Sequence, residues 1–64
     1  MKKMFSVEEV HKITGLDPNT IREGIKRGEL PIGVAVKAST RHKYIIPRKK
    51  LEDFWGEIDE SKLD

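Results

Sequence analysis

Asn19, Thr20, Arg22 and Lys26 fall within one short stretch that is punctuated by Ile21 and Ile25. Two isoleucines four residues apart mark a single inward stripe of a helix. That stripe leaves Asn19, Thr20, Arg22, Glu23 and Lys26 toward solvent. Several of these outward groups suit the reading of base edges. An Asn amide pairs bidentately with adenine, a guanidinium pairs with guanine, and a Thr methyl meets the thymine methyl. Asn19 and Thr20 also stand near the start of the helix, where the positive end of the dipole favours a polyanion. A second group follows in Lys37-Ala38-Ser39-Thr40-Arg41-His42-Lys43. Lys37, Arg41 and Lys43 supply cations, Ser39 and Thr40 hydroxyls and His42 an imidazole, groups that hold phosphates or enter a narrow minor groove. Either group alone is equally compatible with solvated surface. Their coincidence favours a nucleic-acid surface.

The charge distribution agrees. The chain has 13 Lys and Arg against 11 Asp and Glu, a net charge of only +2. The balance is uneven, however. From Arg22 to Lys50 nine cations face only Glu23 and Glu29, whereas beyond Gly56 one lysine faces Glu57, Asp59, Glu60 and Asp64. A basic middle with an acidic end points to a polyanionic partner for the middle.

Other reactive residues form no set. His11 and His42 lie on different segments, and with no cysteine present they cannot complete a metal site. His11 is expected to be an exposed helix residue and His42 a hairpin residue. Ser6, Ser39 and Ser61 lack a neighbouring base. Glu52 and Asp53 are sequential, so a helix points them apart. No glycine-rich phosphate loop occurs. Neither a catalytic role nor a metal or cofactor is expected. Met1-Lys2-Lys3-Met4 starts like a signal sequence, but no apolar run follows, and the reading is cytoplasmic.

The elements that would position these groups are short and well punctuated. Ser6 and Glu9 are spaced as a capping box, with Phe5 and Val10 placed as a hydrophobic staple. A first helix is therefore expected from Val7 to Thr14, ended by Gly15. Asp17 is the second cap and Pro18 the first helical position, giving a helix to about Arg27, which Gly28 ends. The three residues between the two helices match helix-turn-helix spacing. Val34 to Lys37 and Lys43 to Ile46 read as strands of a hairpin, with Ala38 to His42 as a loop free of glycine. Pro47 opens a third helix from Arg48 to Trp55, where Leu51, Phe54 and Trp55 form one apolar face. The expected core is Phe5, Val10, Ile13, Leu16, Ile21, Ile25, Leu30, Tyr44, Leu51, Phe54 and Trp55. Residues 1–56 are read as the domain, and residues 57–64 as an acidic tail, frayed or disordered and dispensable for folding.

The run FSVEEVHKITGLDPNTIREGIKRGELP, followed by YIIPRKKLEDFWG, resembles the excisionase-like helix-turn-helix proteins of phages and integrative elements, relatives of the MerR-type winged helix. The resemblance spans about residues 5 to 56. It implies an α+β fold, a small winged helix-turn-helix of two N-terminal helices, a β-hairpin wing and a C-terminal helix. The second helix would enter the major groove and the wing an adjacent minor groove or the backbone. Those roles would fall on Asn19, Thr20, Arg22 and Lys26, and on Lys37, Thr40, Arg41 and Lys43. The implied function is sequence-specific binding of double-stranded DNA as a recombination directionality factor, with an integrase as a further partner. A small phage-type transcriptional regulator and a protein-protein adaptor are the alternatives. No dimerising helix follows the wing, so a monomer in solution, cooperative on DNA, is expected.

Overall fold

The computed structural model describes residues 2–63. Strand β1 (Met4–Phe5) leads into helix α1 (Val7–Thr14) and helix α2 (Pro18–Lys26). Strands β2 (Val34–Ala38) and β3 (Arg41–Pro47) form a hairpin, and helix α3 (Arg48–Trp55) follows directly. A 3₁₀ turn closes the described chain at Glu60–Leu63. The sheet is antiparallel in the order β1-β3-β2. The fold is a small α+β winged helix-turn-helix, as expected.

Local signals in the sequence account for the helix ends. The Ser6 hydroxyl accepts from the Glu9 amide at 3.2 Å, and the Ser6 amide donates to the Glu9 carboxylate at 2.9 Å. The Asp17 carboxylate accepts from the amides of Asn19 (3.0 Å) and Thr20 (3.4 Å). Each such cap stabilises by about 1 kcal/mol, a large contribution in a domain of this size. α2 ends one residue before the expected Arg27, which is its C-cap. Gly28 then takes φ 73°, and the Glu29 amide reaches back to the Gly24 carbonyl at 2.9 Å. The Gly28 amide donates to Ile25 at 3.2 Å, which completes a Schellman motif. This turn folds Leu30 over Gly24, where a β-carbon would lie 3.0 Å from that of Leu30.

The core holds Phe5, Val7, Val10, Ile13, Ile21, Ile25, Ile32, Ile46, Leu51 and Ile58, with Leu16, Leu30, Ala35, Tyr44 and Leu63 packed around it. Two expected members are absent. Phe54 and Trp55 are each 45% exposed. α3 turns Leu51 fully inward and keeps the Arg48 side chain close to the body at 15% exposure. Phe54 sits off that face. Trp55 is the last helical residue, and beyond it Gly56 turns the chain at φ 103° so that Ile58 enters the core.

The tail therefore departs from the sequence expectation. Ile58 is 7% exposed, and the 3₁₀ turn beyond it packs against α1. Arg48 gathers the surrounding segments. Its guanidinium donates to the Lys2 carbonyl (3.0 Å), to Glu52 (3.2 Å) and to Glu60, and it lies 5.9 Å from the Phe5 ring centroid. β1 is a further element that the sequence does not signal. It pairs Met4 with Pro47 and Phe5 with Ile46, and the Arg48 amide extends the ladder to the Lys3 carbonyl at 2.7 Å.

Ile58→Ala should lose roughly 2–5 kcal/mol of stability, as for other buried isoleucines. Truncation after Gly56 should destabilise the domain at least as much, read as a lower melting temperature, whereas a dispensable tail would leave that temperature unchanged. Pairing with Arg48 holds the Glu60 carboxyl below the usual glutamate value. Burial raises that of Glu9, but its bonds to Lys2 and Ser6 together outweigh this and lower it. Groups with lowered values stabilise fully above the ordinary glutamate value of 4.5, and this stabilisation fades as pH falls through the folded value. Glu60→Gln should therefore flatten the loss of stability below that pH. A melting curve with unchanged acid dependence would contradict the role of this pair.

Candidate nucleic-acid interface

α2 packs on α1 through Ile21 and Ile25, which are 0% and 5% exposed. With these inward, Asn19, Thr20 and Lys26 are exposed, as the sequence implied. Arg22 is half-buried on the flank of that face and forms no ion pair among the described residues. Glu23 lies one turn after Asn19 and directly opposite the buried stripe. Arg27, absent from the expected contact set, borders the same face, with its side chain 66% exposed. Spacing alone could have found it, since it stands four residues after Glu23 and eight after Asn19. An open depression of about 320 Å³ lies here, lined by Asn19, Thr20, Glu23, Gly24, Arg27 and Glu29.

The hairpin is tighter than the sequence suggested. Ala38 and Arg41 are paired, so the loop is only Ser39 and Thr40 rather than the five residues from Ala38 to His42. A two-residue connection that follows the strand twist needs positive φ at its first central residue, normally supplied by glycine. Here Ser39 takes φ 60°. The body end of the hairpin depends on Gly33, where a β-carbon would collide with the Ile45 carbonyl oxygen. From Val36 to Lys43 every residue is exposed, so the outer half of the hairpin stands clear of the body as a wing.

The register divides the four expected wing contacts. Side chains alternate along a strand, and paired residues share a face. Lys37 pairs with His42 and lies on the face of Ala35 and Tyr44, both packed on the core; the His42 and Tyr44 rings are 6.5 Å apart. Arg41 and Lys43 project from the other face, beside Ala38 and Val36, with Thr40 at the tip. The wing thus offers cations on both sides of its tip rather than one cluster.

His11 differs from expectation as well. It is half-buried, and its Nδ1 donates to the Leu16 carbonyl at 2.7 Å, tying the end of α1 to the turn before α2. The Thr14 hydroxyl does similar work, donating to Val10 (2.8 Å) and accepting from the Leu16 amide (3.2 Å). These bonds set the angle at which α2 leaves the turn.

A family model described as a helix-turn-helix domain matches residues 4–58. The chain belongs to that family, the excisionase-like helix-turn-helix proteins. It is a DNA-binding helix-turn-helix domain. The match runs past Gly56 to Ile58, in keeping with burial of that side chain. No curated protein and no solved structure matches the chain significantly. Among the described residues, no group of three or more His, Cys, Asp and Glu could hold a metal ion, and no helix is long and apolar enough to cross a membrane.

A positive φ strains a β-carbon-bearing residue by about 1–3 kcal/mol, and glycine relieves it. Ser39→Gly should thus stabilise the domain by about 1 kcal/mol, read as a higher midpoint of denaturation. Ser39→Val should destabilise it. A longer loop, with Ser39 unstrained, would make both variants neutral.

Proposed function

We propose that this domain is a recombination directionality factor of the excisionase type, binding double-stranded DNA in a sequence-specific manner. Asn19, Thr20, Arg22 and Lys26 act in the major groove, and Lys37, Thr40, Arg41 and Lys43 act from the wing on phosphates or an adjacent minor groove. The observation that carries this reading is the pairing of an exposed, polar α2 face with a hairpin whose basic outer half stands free of the body. A protein-protein adaptor would have no need of that combination.

The shape bears on how it would act. The domain measures 33 × 21 × 21 Å, so one copy covers at most about one turn of duplex, roughly 34–36 Å. A contact that short discriminates weakly against genomic competitors. Several copies on adjacent direct repeats overcome this, each wing abutting the next molecule. Such an array bends the duplex, and the bend brings the arm sites of an integrase together. The integrase is then the protein partner. In this scheme the isolated chain is a monomer that becomes cooperative on DNA.

Three measurements test the scheme. Arg41→Ala should weaken binding to all duplexes alike and reduce the slope of log affinity against log salt by about one. Asn19→Ala should cost about 1–3 kcal/mol on the preferred site and relax one base position. If both variants bind as wild type does, this surface is not the DNA surface. Circularly permuted fragments carrying tandem sites should show cooperative loading and anomalous migration. A single unbent site overlapping a promoter would instead identify a transcriptional regulator.

A further inference from the structure

Glu23 is the one outward residue of α2 whose charge opposes DNA binding. It stands at the centre of the exposed face, flanked by Asn19, Thr20 and Arg27 in the wall of the depression. Its carboxylate lies 3.4 Å from Lys26 Nζ and 3.9 Å from the Arg27 guanidinium, with 42% of the side chain exposed. Ion pairs this exposed add little to stability, so folding does not account for the residue. A carboxylate held against phosphates weakens binding to every duplex unless a base supplies a proton donor. In the major groove the donors are cytosine N4 and adenine N6. Adenine places its N7 acceptor beside N6, where a carboxylate would be repelled; the cytosine edge carries a donor and no acceptor.

Resting on the DNA-binding reading above, we propose that Glu23 determines specificity by accepting a hydrogen bond from N4 of one cytosine in the target. Lys26 and Arg27 hold the carboxylate in place and offset its repulsion of the phosphates. Glu23 therefore trades general affinity for selectivity, whereas Asn19 and Thr20 contribute to both. Sequences without cytosine at that position meet an unpaired charge and are rejected.

The test is selection from a randomised duplex library with the full chain as wild type, Glu23→Gln and Glu23→Ala. The site is exposed, so both variants should melt as wild type does. Wild type should enrich a site with one invariant cytosine, preferred by about tenfold over other bases. Glu23→Gln should move that position toward adenine, whose N6 and N7 match an amide. Glu23→Ala should leave the position degenerate and raise affinity for unrelated duplexes. An unchanged base preference in both variants, with binding intact, would overturn the assignment while leaving DNA recognition standing. A wild-type chain that enriches no sequence would overturn sequence-specific recognition itself, and the assignment with it.

Discussion

Ile21 and Ile25 lie one helical turn apart on α2, and burying both leaves that helix a single rotation about its axis. The outward residues follow from that rotation. Asn19, Thr20, Glu23, Lys26 and Arg27 reach solvent because the two isoleucines cannot, and Arg22 is left on the flank. Rotation by one residue would bring charged side chains into a core where the described residues leave no buried side-chain polar atom unpaired. The surface chemistry of the domain is thus a consequence of its interior.

The same dependence holds α2 at its two ends. Gly15, the Asp17 cap and the bond from His11 to Leu16 set the angle of entry; Gly28 and the fold of Leu30 over Gly24 set the exit. From there Ile32 enters the core and Gly33 lets β2 approach β3, so the wing leaves the body at a fixed point. Arg48 gathers the N-terminal arm, α3 and the tail. A domain of 64 residues has little apolar area to spare, so closure by Ile58 and Leu63 contributes in proportion.

Features set by near neighbours were legible in the sequence. Ser6 with Glu9, Asp17 with Pro18, and Gly15 and Gly28 past their helices each act within one turn, and all occur where their spacing placed them. So did the contrast between the faces of α2, which needs only Ile21 and Ile25. Features set by distant partners were not legible. Ile58 stands alone among acidic residues, and its burial depends on the turn at Gly56 and on Arg48 meeting Glu60. Met4 and Phe5 are too few to read as a strand until β3 is beside them. Phe54 and Trp55 had the spacing of a core face, yet α3 turns Leu51 inward with Phe54 off that face, and Trp55 is its last residue. The wing turn is not legible in the sequence because Ser39 takes the conformation usually left to glycine, and the division of Lys37 from Arg41 and Lys43 depends on the register that turn sets.

In the proposed reading, DNA meets α2 and the wing. Titrating a ¹⁵N-labelled chain with a duplex, and following each backbone amide by nuclear magnetic resonance, tests it most directly. The largest shifts are expected from Asn19 to Arg27 and from Lys37 to Lys43, with α3 and the 3₁₀ turn largely unmoved. Shifts concentrated on α3 and the tail, or none at all at low salt, would contradict it.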